Sequence, residues 1–479
     1  SVYILIYVFC LQEYDMQEPM KKFLILIGIV FAFFLLNSFT PPEGLTPSGW
    51  TSLLLMAAAV ALWAFAVMGM GILSVMVSIV PIFLGLAPLP KVMASFWTPT
   101  LLFLIAMFVV CFAFRNSGLS KRIVLWAVMK SGGNSRKLLL WLMLTCGLLS
   151  SVLADIPTMA MILPIALMLC SVNECEPGKS NLGRGIMLGL VFSCLIGGAG
   201  TPMGANMNMI SIGMLEKNAQ VQISFLEWCC FGMPLVLLLV PAAWFVLLKI
   251  FPPEVETLKG MDILEAEYRE LGPLSAREKR FLLLGGANFM FWCVADRFGV
   301  PTPLAAVLGA ALLSIPVFEL VDWRKDAREI GWDMIMMCGA LGVLGDLVWN
   351  EGGATWLAQN CLSPIMGLPL PAIIMFVSAF TILAHCFIPN NVALAGVLMP
   401  AAIAFAAEMG INPALLGLPL AFSLSAGLLL PLDPVALLAM PHGFFRMKEM
   451  CRPGGFISLV WVVVVTLIVY ILAPLLGFM

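Results

Sequence analysis

Asp155, Asn208, Asn391 and Asp433 are the side chains best placed to do chemistry, because each sets an oxygen ligand beside or inside a long apolar run. Asp155 lies in Ser150–Pro164, SSVLADIPTMAMILP, and Asn391 in Cys386–Pro400, CFIPNNVALAGVLMP. In both stretches a small polar cluster breaks the run. An apolar helix then reaches a Pro nine residues on, from Asp155 to Pro164 and from Asn391 to Pro400. A second interrupted stretch follows each one: Gly197–Asn208, GGAGTPMGANMN, and Ser423–Pro434, SLSAGLLLPLDP. Paired broken elements, repeated in the same order in two halves, point to a solute and ion site near the middle of a membrane, built from freed carbonyls, helix N-termini and short side chains.

Asp155 carries the most information. An ionisable group inside a membrane span is costly and is a functional hypothesis by default. It can act as a charged sodium ligand or as a proton carrier, and capping the helix at Ile156-Pro157 is compatible with both. A sodium ion needs several oxygens, which such elements supply as carbonyls plus side chains. In the first half the candidates are Ser150 and Asp155 with carbonyls around Gly198 and Gly200. In the second they are Asn391 with carbonyls near Pro389 and Ser425. Cys386 beside them is a poor ligand for a hard cation, which leaves open a second half that binds no ion.

An anion belongs at helix N-termini, where free N–H groups point at it. The polar side chains available there are Thr158, Thr201, Asn206, Asn208, Asn390 and Asn391, although paired Asn residues can also simply satisfy a turn. No Lys or Arg lies in these elements, so no side-chain cation is evident for a multivalent anion. His385, six residues before Asn391, reads more readily as a hydrogen-bonded core residue than as a proton relay. Asp433 before Pro434 suits a turn as well as it suits an ion or proton site. Asp333 and Asp346 flank a span and read as interfacial.

The elements that position these residues must be membrane helices. The 479 residues are 62% hydrophobic and 11% charged with a mean hydropathy of +1.04, which excludes a soluble multidomain protein. Several uncharged runs reach the ~20 residues needed to span, and helices must dominate because unpaired backbone in lipid is too costly. Thirteen Cys without a CxxC pair read as small buried hydrophobes. Residues 1–22 form an N-terminal segment, whose SVYILIYVFCL is too short to span. The first half runs over 23–250, with an extra first helix, an interrupted segment at about 138–170 and a broken helix at 185–215. A charged connector at 251–280 follows. The second half, 281–479, has its interrupted segment at about 368–408 and its broken helix at 413–440. Between Arg115 and Lys137, six cations mixed with Trp126 and the Gly132-Gly133 pair suggest an amphipathic surface helix.

Each interrupted segment is either one kinked span or a hairpin that leaves on the side it entered. With the N-terminus inside and two hairpins, every Lys and Arg but Lys91, Lys217 and Arg297 falls on the cytoplasmic side. Making either segment a full span moves several cations outside. The positive-inside bias therefore favours hairpins, which makes the halves an inverted repeat of about eleven spans.

From about Pro42 onward the chain resembles the divalent anion–sodium symporter family, whose members move dicarboxylates, citrate or sulfate. The resemblance is carried by FWTPTLLFLIAMFVVCFAFRNSGLSKRIVLW (Phe96–Trp126), MILPIA, IGGAGTPMGANMN, GWDMIMMCGALGVLGDLVWNEGGATWLA (Gly331–Ala358) and FFRMKEMCRPG. It implies an elevator-type scaffold plus transport domain, a homodimer, and substrate positions at the two hairpin tips. Those tips carry Ser-Asn-Thr in the family; here Ala154-Asp155-Ile156 and Asn390-Asn391-Val392 stand in their place. Ser150 matches a family Ser, and Cys386 stands where the family has Thr. The family's Thr-Pro-Pro-Asn loop survives partly around Asn206 and Asn208, and its second copy is reduced to Asp433-Pro434-Val435-Ala436. The expectation is a secondary active transporter of a small di-/tricarboxylate-like or sulfate-like anion, coupled to Na+ or H+ and without other cofactors. Its partners are lipid and the anion, not nucleic acid, and its place is a bacterial inner membrane with the N-terminus cytoplasmic and the C-terminus outside. A cation–proton antiporter or an anion exchanger is the alternative. An enzyme has no support from metal-ligand spacing, GxSxG or a phosphate loop.

Overall fold

A computed structural model describes residues 18–362, 365–388 and 390–478. Most of the N-terminal segment and the expected ligand Pro389 lie outside the described residues. Among the described residues the regular elements are all helices, and one isolated bridge joins Asn134 to Thr257. Ten helices are long and apolar enough to cross a membrane, and four shorter apolar ones accompany them. Two of the short ones, Leu370–Ala384 and Ala414–Leu424, are a hairpin arm and a broken-helix limb, so their length follows from the interruptions.

Helix starts follow local chemistry. Asn134 caps Ser135–Leu153 by accepting the Lys137 N–H at 3.0 Å. Ser180 caps Asn181–Gly198 through Gly183 at 3.1 Å. Ser224 and Glu227 cap Phe225–Ile250 reciprocally, at 3.2 and 2.7 Å. Each satisfies N–H groups that a helix N-terminus would otherwise leave open.

The packing pairs elements across the two halves in a matched way. Met70–Phe83 packs on Trp332–Asn350, and Pro99–Ser117 packs on Thr302–Leu313. Asn206–Ala219 packs on Asn391–Glu408, while Pro434–Ala439 packs on Asp155–Val172. Each second limb of a broken helix thus sits on the hairpin arm of the other half. One continuous apolar core runs through both.

The connector is more structured than its composition suggested. It holds the helix Met261–Glu270 and ties down the base of the first hairpin. Glu256 O accepts the Ser135 N–H at 3.0 Å, and the Lys259 N–H donates to Asn173 Oδ1 at 2.8 Å. Leu119–Lys130 is amphipathic as expected, burying Val124, Leu125, Ala127 and Val128. Neither Asp333 nor Asp346 is merely interfacial. Asp333 Oδ1 accepts the Gly71 N–H at 3.1 Å at the start of Met70–Phe83, and buried Asp346 pairs with Lys217.

Candidate functional site

The first tip is a single residue. Ser135–Leu153 ends and Asp155–Val172 begins on either side of Ala154, whose φ of +67° and ψ of 161° lie where non-glycine residues are strained. Thr158 Oγ1 donates to the Ala154 carbonyl at 2.7 Å, so this buried hydroxyl is spent on its own helix. Asp155 is buried, and its Oδ1 accepts the Ile156 N–H at 2.8 Å. Asp155 is the first helical residue, so the N-cap position falls to Ala154, which offers no side-chain cap, and the Ile156 contact stands in place of the foreseen cap.

Hydroxyl groups bind this hairpin to the first broken helix. Ser150 Oγ donates to the Cys194 carbonyl at 2.6 Å. Ser151 Oγ reaches both the Gly147 and Gly197 carbonyls, at 2.9 and 3.0 Å, and Thr201 Oγ1 donates back to the Ser151 carbonyl. The approach is so close that a Cβ on Gly197 would run into the Gly147 carbonyl, and one on Gly200 into the Ser151 hydroxyl. The glycine cluster is there to let backbones touch.

Asn208 closes the break. Its Nδ2 donates to the Gly198 carbonyl at 2.7 Å and the Thr201 carbonyl at 2.9 Å, satisfying two acceptors that the interrupted helix frees. Its Oδ1 is buried and has no hydrogen-bond partner. The buried hydroxyl of Ser425, from the second broken helix, is also without one, and it lies 3.6 Å from where a Gly198 Cβ would be. Buried polar atoms are nearly always paired. Two orphan oxygens where the broken helices meet fit a bound cation.

The second tip is arranged differently. Asn390 caps Asn391–Glu408, accepting the Ala393 N–H at 3.0 Å, and its Nδ2 lies 3.4 Å from Met337 Sδ. Asn391 Nδ2 donates to Asp433 Oδ2 at 3.0 Å, and Asn391 Oδ1 meets His385 Nε2. His385 Nε2 stands 4.0 Å from Asp433 Oδ2, and Asp433 Oδ1 accepts the Val435 N–H at 2.9 Å. His385 and Asp433 are 3% and 1% exposed, so this is a closed cluster whose polar atoms satisfy one another. The sequence reading treated His385 as a core residue and missed its partners. The available signal was its position six residues before Asn391, across the hairpin tip. Val392 is buried beside the cluster, and Pro434 is exposed at the start of Pro434–Ala439.

A cavity of about 500 Å³ opens at the first tip. Its wall includes Ala154, Asp155, Ile156 and Asn206 from the first half, together with Arg115 and Glu329. Thr158, Thr201, Asn208, Asn390, Asn391 and Asp433 are not in its wall. Arg115, at the end of Pro99–Ser117, pairs with Glu329 and with Asp326 at 3.3 Å. Sequence reasoning had assigned it to the surface stretch. Its place beside the tip depends on contacts with residues more than two hundred positions away.

Residues 20–479 match the family model described as the sodium:sulfate symporter transmembrane region. A membrane protein of Cupriavidus necator is 24% identical over 90% of this chain and 88% of its own length. A protein of Staphylococcus saprophyticus named sodium-dependent dicarboxylate transporter SdcS is 24% identical over 80% of this chain and 78% of its own. The crystal structure of the Alcanivorax borkumensis YdaH transporter, described as having an unusual topology, aligns with a TM-score of 0.51. It does so at 12% identity over 95% of this chain and 98% of that one, a likeness of fold alone.

Proposed function

The chain belongs to the sodium:sulfate symporter family and is a secondary active anion transporter, and we propose that sodium is its coupling ion, held at the first hairpin. The observation that carries this reading is the pair of buried, unpartnered oxygens, Asn208 Oδ1 and Ser425 Oγ, where the two broken helices meet. In this proposal Ser150, whose hydroxyl bonds the Cys194 carbonyl of the first broken helix, and Asp155 of the first hairpin complete an oxygen set suited to a hard monovalent cation. Sodium neutralises the Asp155 carboxylate, and the anion then sits at the Ala154–Ile156 tip beside Asn206, facing the cavity. Without the cation, a buried carboxylate and an anion would repel each other, so binding of the two is coupled.

Alternating access follows if the two hairpins and two broken helices move as one body against the remaining helices, in a homodimer of the bacterial inner membrane with the N-terminus cytoplasmic. The matched packing between halves supports such a body. The cation–proton antiporter gives way to this reading, because the family and the named relative are sodium-coupled anion carriers. The test is uptake by proteoliposomes of labelled succinate, citrate, sulfate and monocarboxylates, with an inward gradient of sodium or of choline. Accumulation driven by sodium alone and abolished by Asp155→Ala supports the proposal. Accumulation of an anion that ignores sodium refutes sodium coupling.

A further inference from the structure

The wall of the tip cavity restricts what the anion can be. Its volume of about 500 Å³ falls in the ~300–1,000 Å³ range of cavities that take small organic molecules, far more room than an inorganic oxyanion fills. Beside its polar residues the wall is made by Phe103, Phe108, Phe112, Met161, Met203 and Met334. Aromatic rings and thioethers favour rings and branched alkyl groups. A carboxylate set among them would lose its hydration without gaining a donor.

The charges point the same way. Arg115 is the one cation among the described lining residues, and it is already engaged by Glu329 and Asp326. Its guanidinium also lies 5.3 Å from the Phe112 ring centre. The lining carboxylates are Asp155 and Glu329, the latter already paired with Arg115. Once sodium has neutralised Asp155, the tip can hold one negative group, at the Asn206 side chain. It has nothing for a second.

Resting on the transport reading above, we infer that the substrate is a monocarboxylate with an aromatic or branched aliphatic body, lodged among the Phe and Met side chains with its carboxylate at the Ala154–Ile156 tip. The test uses the purified full chain, with phenylacetate and 4-methylpentanoate set against acetate, succinate, citrate and sulfate. Each is titrated in sodium chloride and in choline chloride with apparent melting temperature as the readout, because a ligand of the native state raises it. Phenylacetate is expected to reach half-effect at a concentration at least about tenfold below those of acetate and succinate, and only in sodium. Met161→Gln and Met334→Gln should each raise that concentration several-fold while the response to sodium alone, the check on folding, stays unchanged. If succinate, citrate or sulfate acts at lower concentration than phenylacetate, and is accumulated on a sodium gradient, the inference fails and the transport reading stands. If no anion of any class shifts the protein or is accumulated, both fall.

Discussion

Ser425 and Ser150 make opposite predictions from the same substitution. Both hydroxyls are buried beside the first broken helix, but Ser150 donates to the Cys194 carbonyl at 2.6 Å whereas Ser425 has no partner. An unsatisfied buried hydroxyl costs roughly 1–3 kcal/mol relative to water. Ser425→Ala should therefore stabilise the sodium-free protein by about 1 kcal/mol, or on the order of 1–2 °C in a chain this long. The same change removes one neutral ligand from the proposed ion site. It should raise the sodium concentration for half-maximal stabilisation roughly five- to tenfold, equivalent to about 1–1.4 kcal/mol. Ser150→Ala removes a buried hydrogen bond to the Cys194 carbonyl and should instead lower sodium-free stability by about 1 kcal/mol. Melting curves of detergent-purified protein across a sodium series, with choline holding ionic strength constant, read both quantities at once. If Ser425→Ala leaves the sodium response unchanged, the orphan oxygens are not an ion site.

Three further perturbations follow from the geometry. Ala154→Gly relieves a strained φ of +67°, worth ~1–3 kcal/mol less the ~0.5–1 kcal/mol entropic cost of glycine, so its melting temperature should rise; a fall would mean that the tip relaxes differently. The Arg122 guanidinium hydrogen-bonds Glu278 at 2.6 and 3.1 Å and, with help from the Ser275 N–H, holds the Glu278 carboxyl below its ordinary value. Because the folded pKa is depressed, that contribution is complete above the ordinary glutamate range near pH ~4.5 and is lost as pH falls through the folded value. Glu278→Gln should flatten this acid limb of the stability profile, and an unchanged limb would refute the assignment. Lys217, on the second limb of the first broken helix, pairs with Asp346 on Trp332–Asn350, which joins the proposed moving body to the scaffold. A Lys217→Cys/Asp346→Cys pair, once cross-linked, should stop uptake, and reductant should restore it; full uptake in the cross-linked state would argue against relative movement there.

Much of the architecture was legible because it depends on local sequence. Uncharged runs with Pro and Gly interruptions mark the membrane helices, and the caps Asn134, Ser180 and Ser224, which the sequence reading did not use, stand immediately before three of them. The glycine cluster was also readable, since close backbone approach leaves a mark in composition. What could not be read were partnerships made across the chain. Arg115 belongs to the tip cavity only through Glu329 and Asp326, His385 to a cluster only through Asn391 and Asp433, and Asp346 to a pair only through Lys217. The Arg115 and Lys217 pairings leave no local pattern, because they depend on how helices from opposite halves pack, and the His385 cluster depends on how the second hairpin meets its own broken helix.

The two tips show that one backbone plan can be filled by two chemistries. At the second, the negative charge of Asp433 is surrounded by donors from Val435 and Asn391 with His385 next to it, and no side-chain oxygen there is left unpaired. A sodium ion entering this cluster would have to displace hydrogen bonds already made, at a cost its coordination would need to recover. Where the first broken helix meets the second, Asn208 Oδ1 and Ser425 Oγ are left open and cost stability until something binds them, and the strained Ala154 of the first tip adds to that cost. An ion that occupies this half gains binding energy where the protein has left polar groups unsatisfied. The asymmetry therefore favours a single coupling site at the first hairpin, with the second acting as a rigid counterpart that positions the crossing helices.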